Sequence, residues 1–127
     1  MKTLKTTAEI GAYGERLAVR YLRLRGYAIR ARNWRTGHFE LDVVAETLRD
    51  LAFVEVKTRK KSTDSEKYGK AQDAVTEEKR AHLRYAAARY ITECRMQYLK
   101  PRFDVAEVYY TEAKKKKFKV FYRKEAF

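Results

Sequence analysis

The chain has very little cysteine and proline, with one residue of each in 127. Since Cys94 has no second cysteine to pair with, the sequence predicts a reducing, cytoplasmic compartment and a small, buried Cys94. No apolar run approaches the roughly 18 residues of a transmembrane helix. The N-terminus also lacks the long apolar stretch of a signal peptide. These absences argue against a membrane protein and against a disulfide-stabilised secreted domain.

Acidic residues are also scarce, because 17 Asp and Glu stand against 30 Lys and Arg and leave a net charge of +13. Such a field attracts polyanions, and nucleic acid is the commonest of them. The alternative is a basic surface that only aids solubility. The acids of residues 36–58 form a local exception to this basic composition: Glu40, Asp42, Glu46, Asp50 and Glu55.

Hydrophobic periodicity predicts one α/β domain over residues 1–127. Thr6 and Glu9 fit a capping box that begins a helix ending near residue 25, and Thr76 fits the N-cap of a second helix. The basic stretch 59–70 fits a surface loop. Alternating segments predict strands near residues 27–31, 39–46, 50–58, 102–110 and 118–123. The order α-β-β-β-α-β-β predicts a central mixed sheet flanked by helices.

Charged side chains recur within the predicted hairpin of residues 39–58. Alternation places Glu40 and Asp42 on one face of the first strand, and Glu55 and Lys57 on one face of the second. If the apolar faces of both strands coincide, Asp42, Glu55 and Lys57 converge on one patch. Glu15 lies among small and apolar positions of the first helix, so we expect its carboxylate to point inward.

Neighbouring carboxylates repel one another unless a cation lies between them. Their hard oxygen atoms suit Mg²⁺ or Mn²⁺, which activate a bound water and polarise a phosphoryl oxygen. An ammonium group beside them can orient the attacking water or neutralise charge that develops on the phosphate. An aspartate followed by Glu-x-Lys in a basic protein therefore indicates metal-dependent phosphodiester hydrolysis. The alternative for Glu-x-Lys alone is an exposed salt bridge worth at most about 1 kcal/mol.

These residues also resemble a known family. The matching motifs are Gly11, Gly14 and Glu15; Arg32 and Asn33; Glu40 and Asp42; Phe53 to Arg59; Lys79; Arg102 to Val105; and Ala126 with Phe127. The chain resembles the restriction-endonuclease-like PD-(D/E)xK nuclease superfamily. It is more closely similar to the YraN-like family of uncharacterised bacterial proteins, which is itself similar to archaeal Holliday-junction resolvases. One departure is Phe39, where that family usually has glycine.

The resemblance implies a restriction-endonuclease-like αβββαβ core and a metal-dependent DNA endonuclease, with branched DNA such as Holliday junctions as its substrate. Asp42, Glu55 and Glu15 would hold Mg²⁺ or Mn²⁺, and Lys57 would be the catalytic lysine. Symmetric cleavage of two strands favours a homodimer. The proposed contacts to nucleic acid are basic side chains: Lys79, Arg59, Lys60 and Lys61.

Two other functions fit the sequence. One is a nucleic-acid-binding protein that retains the nuclease fold without its chemistry, and the other is an interaction subunit of a DNA-uptake or recombination complex. Three residues have open roles. Glu40 either joins the site or pairs with an arginine, Trp34 either lies at the edge of the core or stacks on a base, and Arg102 is expected to pair structurally with Asp104.

Overall fold

The computed structural model describes residues 6–60, 75–111 and 118–127. The elements are α1 (Thr7–Leu24), β1 (Ala28–Thr36), β2 (Phe39–Glu46), β3 (Asp50–Lys60), α2 (Glu77–Glu93), β4 (Lys100–Tyr110) and β5 (Phe118–Arg123). Their order confirms the predicted one. Neither of the two described helices combines the length and the apolar character needed to cross a bilayer.

The five strands form one sheet in the order β1-β2-β3-β4-β5. All neighbouring pairs are antiparallel except β3 and β4, which are parallel. A parallel pair needs a crossover connection, and α2 lies in that connection. The prediction of a mixed sheet with helices on its faces is therefore confirmed.

Both helices begin at the predicted caps. The Thr6 hydroxyl accepts a hydrogen bond from the Glu9 backbone N–H at 3.1 Å, and the Thr76 hydroxyl accepts one from Lys79 N–H at 3.1 Å. Each cap satisfies one of the N–H groups that the first turn of a helix leaves unpaired. The second cap also fixes where Lys79 enters α2, close to the sheet.

Each face of the sheet carries its own hydrophobic core. The α1-side core contains Ala18, Val19, Leu22, Val43, Ala45, Ala52, Val54, Ala106 and Val108. The α2-side core contains Leu41, Val44, Leu51, Phe53, Val75, Leu83, Ala86, Ala87, Tyr90, Met96, Leu99 and Val105. Since the central strands are covered on both faces, a charged side chain on them is desolvated unless it lies near a strand end.

The prediction that Cys94 is buried is wrong, because its side chain is exposed. Cys94 is the C-cap of α2, and its backbone N–H donates to the Tyr90 carbonyl. The chain then turns at Arg95, whose φ is 54°, and Met96 enters the α2-side core instead. The apolar stripe of the helix therefore ends one turn before the cysteine.

Arg102 and Asp104 pair structurally, as predicted. The Arg102 guanidinium donates to Asp104 Oδ2 at 2.8 Å, to Asp50 Oδ2 at 2.8 Å and to the Tyr27 hydroxyl at 2.7 Å. The Tyr122 hydroxyl donates to Asp104 Oδ2 at 2.5 Å. Because each of these charges has partners, the network joins β3, β4, β5 and the residue before β1 without an isolated charge.

Gly14 sets how closely α1 approaches the sheet. A Cβ atom at this position would lie 1.7 Å from the Thr58 Oγ1 atom of β3. A side chain at Gly11, one turn earlier, would meet nothing within 4 Å. The two glycines therefore differ: Gly14 is required by the contact between helix and sheet, whereas Gly11 is not.

We expect Gly14→Ala to lower the free energy of unfolding by about 2 kcal/mol, because the added methyl group forces α1 away from β3. Urea denaturation followed by circular dichroism measures the change. Gly11→Ala is the matched control and should be neutral or stabilising by up to about 1 kcal/mol. Equal stability of the two variants would contradict the close approach at Gly14.

Candidate functional site

The candidate site begins where β2 and β3 separate. The two strands pair from Glu46 opposite Leu51 to Val43 opposite Val54, and the described ladder ends there. Beyond that point the Val56 backbone N–H donates to the Asp42 carboxylate, with 2.9 Å between N and Oδ2. The Asp42 side chain thus takes the place of a backbone acceptor at the fork between the strands.

The predicted alternation fails at Asp42. Leu41 and Val43 were expected on one face of β2, yet Leu41 lies in the α2-side core and Val43 in the α1-side core. Strict alternation assumes a regular strand in a continuous ladder, and β2 leaves its partner at this position. As a result Asp42 lines a cleft beneath α1 rather than sharing one regular face with Glu55 and Lys57.

This cleft has a volume of about 210 Å³ and lies between the N-terminal half of α1 and the fork. Its lining residues are Ile10, Gly11, Glu15, Asp42, Val56 and Thr58. Glu15 is buried with 8% of its surface exposed, so the prediction that it points inward is confirmed. Lys57 and Glu55 are not among the lining residues.

Glu15 is held by two residues of β1. Its Oε1 atom accepts a hydrogen bond from Asn33 Nδ2 at 2.8 Å and lies 3.4 Å from Arg32 Nε. Asn33 has a φ of 51°, a left-handed conformation that asparagine tolerates better than most residues. The Arg-Asn pair stands out in the sequence as part of a family motif, but its role in holding Glu15 becomes visible only in the fold.

Glu55 is also buried, with 5% of its surface exposed. Its Oε1 atom lies 3.4 Å from Lys57 Nζ and 3.8 Å from Lys79 Nζ. Among the described residues, its Oε2 atom is buried without a hydrogen-bond partner. Glu55 follows Phe53 by two residues on β3, and this face of the strand meets α2, which carries Lys79.

Four neighbouring groups act on the Asp42 carboxyl group. Together with burial, which is the largest influence, they raise its pKa to about 7. The negative charges of Glu55 and Glu15 act in the same direction as burial, while the Val56 hydrogen bond and the positive charge of Lys79 oppose it. Asp42 is therefore near enough to all three charged side chains to sense them, although these come from β3, α1 and α2.

The charges of this site suit a divalent cation held by two carboxylates. Across residues 6–60, 75–111 and 118–127, no three acidic, histidine or cysteine side chains are already arranged as a metal-ligand set. Mg²⁺, however, is commonly held by one or two carboxylates together with waters and phosphate oxygens. Asp42 and Glu55 are the two carboxylates that fit such a cation. The pKa of Asp42 is raised, and Glu55 has a buried oxygen without a hydrogen-bond partner among the described residues. Glu15 already has protein partners, which suits an indirect contact through water.

The predicted nucleic-acid contacts are dispersed. Arg59 Nε lies 3.7 Å from Glu107 Oε2, and Lys79 is engaged with Glu55. Lys60 is exposed at the end of β3, and Lys61 lies outside the described residues.

Two side chains whose roles the sequence left open, Glu40 and Trp34, make structural contacts in the fold. Glu40 Oε2 lies 3.2 Å from Arg35 Nη2, and Trp34 packs edge-to-face on Tyr90 with 5.2 Å between ring centroids. Trp34 therefore belongs to the edge of the α2-side core rather than to an open stacking surface.

The fold and the site define a mixed α/β domain with an open five-stranded sheet, consistent with a restriction-endonuclease-like core. The family model described as "Uncharacterised protein family UPF0102" matches residues 14–108. The chain belongs to this family. It is 39% identical to a UPF0102 protein of Syntrophomonas wolfei, over 85% of this chain and 90% of that relative. It is 45% identical to a UPF0102 protein of Beutenbergia cavernae, over 82% of this chain and 85% of that relative. It is 44% identical to a UPF0102 protein of Bacteroides fragilis, over 93% of this chain and 91% of that relative.

The raised pKa of Asp42 predicts how Asp42→Asn changes stability with pH. An unfolded aspartate loses its proton near its ordinary pKa of 3.8, whereas folded Asp42 keeps it until about pH 7. The ionisation of Asp42 therefore contributes a loss of stability to the wild-type protein as the pH rises from 4 to 7, and the Asp42→Asn variant lacks this contribution. In metal-free buffer with EDTA, Asp42→Asn should be more stable than the wild type at pH 7.5, by on the order of 4 kcal/mol. Urea denaturation at pH 4 and 7.5 measures this.

Glu40→Gln is the control for this experiment, since it removes a carboxylate from the same strand that is paired with Arg35 near the surface. It should show no stabilisation that grows with pH. If Asp42→Asn changed the free energy of unfolding equally at pH 4 and pH 7.5, this would contradict a raised pKa of Asp42.

Proposed function

We propose that this protein is a metal-dependent DNA endonuclease that hydrolyses phosphodiester bonds, and that it belongs to the PD-(D/E)xK nuclease superfamily. The proposal is carried by one observation: the Asp42 carboxylate at the fork of β2 and β3 lies in the electrostatic field of buried Glu55. The fold, which is consistent with a restriction-endonuclease-like core, supports the same assignment.

In this proposal Asp42 and Glu55 hold Mg²⁺ or Mn²⁺, and Glu15 stabilises the site through a water. When bound, the cation would supply Lewis-acid polarisation of the scissile phosphate and lower the pKa of a water. The Val56 N–H keeps one Asp42 oxygen in a fixed direction, so the other oxygen is left for the ligand role. Asn33 and Arg32 similarly fix the Glu15 carboxylate at the cleft.

Lys57 is the proposed catalytic lysine. Its ammonium lies 3.4 Å from Glu55 Oε1, and 26% of its side chain is exposed, so it is available to an incoming phosphate. There it would neutralise negative charge that develops on the phosphoryl oxygens. Lys79, at 3.8 Å from the same oxygen, places a second positive charge beside this buried carboxylate.

Branched DNA, such as a four-way junction, is the proposed substrate. Resolving such a junction requires two incisions related by symmetry, so a twofold homodimer is part of the proposal. The net charge of +13 supports a polyanionic partner. A cytoplasmic location follows from the nature of this substrate and remains a prediction.

A second candidate function is nucleic-acid binding without chemistry. The observation that favours it is the lack, within the described residues, of three side chains already arranged to hold a metal. In this case Asp42 is retained only as the acceptor that closes the fork between β2 and β3.

The first test is cleavage of labelled four-way junctions, duplexes and single strands in Mn²⁺ or Mg²⁺. We expect junction cleavage by the wild type and a loss of about a hundredfold or more in Asp42→Asn and Lys57→Met, because each removes charge that acts on the phosphate or its metal. Glu40→Gln should retain activity. Intact junctions at every wild-type concentration would contradict the nuclease proposal.

The second test is Mn²⁺ binding measured by isothermal titration calorimetry. The nuclease proposal predicts uptake by the wild type, a marked loss in Asp42→Asn and a smaller loss in Glu15→Gln, whose oxygen already accepts from Asn33. The binding-only alternative predicts no uptake by any variant and unchanged DNA affinity in Asp42→Asn.

A further inference from the structure

The solvent face of α1 carries a stripe of arginines. Arg16, Arg20 and Arg23 follow one another at spacings of four and three residues, so they lie on one side of the helix, and all three are exposed. The helix has two carboxylates. Glu9 is in its first turn, and Glu15 points into the cleft. The outward face therefore carries positive charge without an acid after its first turn.

Many arginines elsewhere in the described structure form ion pairs with acidic side chains. Examples are Arg30 with Glu46, Arg35 with Glu40, Arg59 with Glu107, Arg80 with Glu77 and Arg89 with Glu93. Among the described residues, no ion pair includes Arg16, Arg20 or Arg23. The one ring contact of the stripe is Arg16 over Tyr13, at 5.8 Å from the guanidinium carbon to the ring centroid. The charge of the stripe is thus left for a partner.

The stripe leads to the cleft. Ala12, one turn before Arg16, is exposed, and its neighbour Gly11 lines the cleft without a side chain to block it. Arg16 and Arg23 are separated by about 10 Å along the helix axis at 1.5 Å per residue. Phosphates of one DNA strand rise by about 3.4 Å each. The stripe therefore matches about three phosphates of a strand that continues to the cleft.

A membrane surface fits this stripe poorly. The opposite side of α1, with Ala18, Val19 and Leu22, is buried in the α1-side core. An interfacial helix binds a bilayer by inserting its apolar face, and here that face is already covered. Guanidinium groups, in contrast, bind phosphate oxygens directly through bidentate hydrogen bonds.

We propose that Arg16, Arg20 and Arg23 bind the phosphate backbone of DNA and direct it to the cleft of Glu15 and Asp42. This inference rests on the proposed function for the nature of the substrate, and it adds the surface on which the substrate lies. It adds to the sequence-based contacts at Arg59 and Lys79, which stay predictions and lie near Glu107 and Glu55.

The test is DNA binding in EDTA, where no cleavage occurs, measured by fluorescence anisotropy on a labelled duplex and a four-way junction at 50–300 mM salt. The variant is Arg16→Gln/Arg20→Gln/Arg23→Gln. Each lost phosphate contact lowers the slope of log affinity against log salt by about 0.9. We expect the slope to fall by about 2.7 and the affinity at low salt to fall at least tenfold.

The matched control is Arg49→Gln/Arg95→Gln/Lys100→Gln, which removes three exposed charges from the β2–β3 turn, the end of α2 and the start of β4. It should keep the wild-type slope to within about 1. Thermal melting checks that both variants are folded. Equal losses in both variants, an unchanged slope in the stripe variant, or no binding of wild-type protein to either DNA would overturn the proposal.

Two further measurements separate this inference from the proposed nuclease activity. Stripe-dependent DNA binding in EDTA, together with intact junctions in Mn²⁺, would support the DNA-binding surface and contradict the nuclease. Loss of binding to phosphatidylserine vesicles in the stripe variant, with DNA binding unchanged, would assign the stripe to anionic membranes and overturn the inference.

Discussion

The hydrogen bond from the Val56 N–H to Asp42 is the interaction on which the candidate site depends. Where β2 leaves β3, a fully buried N–H without an acceptor would cost about 1–3 kcal/mol, and the half-buried Val56 N–H would carry part of this cost. The Asp42 carboxylate removes this cost, and in doing so it becomes fixed in a position with little access to water. The contact lowers the pKa of Asp42, while burial raises it more. The contact that closes the fork in the sheet therefore also holds a charge in an unfavourable place.

Glu55 completes this unfavourable arrangement. A buried carboxylate is expensive unless partners satisfy both of its oxygens. Lys57 and Lys79 approach Oε1 at 3.4 and 3.8 Å, which is longer than a strong charged hydrogen bond. Because Oε2 has no hydrogen-bond partner among the described residues, the lysines compensate the charge only in part. A cation between Asp42 and Glu55 would lower the electrostatic energy of both carboxylates.

Local sequence patterns predict most of the fold, because capping and periodicity are local properties. Thr6 and Thr76 begin the helices as expected, and the hairpin of β2 and β3 has the expected position. At the candidate site, the failures occur where a distant contact overrides periodicity. Alternation breaks at Asp42 because of Val56, and the Arg32–Asn33 pair is explained only by Glu15 across the fold. Sequence therefore predicts that Glu15 and Glu55 come near Asp42 better than it predicts the faces they occupy.

The position of α1 links the cleft to the proposed DNA surface. Gly14 lets the helix lie against Thr58, and this contact sets the rotation of the helix about its axis. With 3.6 residues per turn, that rotation directs Glu15 toward the fork and Arg20, on the opposite side, toward solvent. A helix rotated to expose Glu15 would bury arginines against the sheet at a large desolvation cost. The close contact between Gly14 and the Thr58 side chain thus helps to orient both the face of α1 that carries Glu15 and the face that carries the arginines.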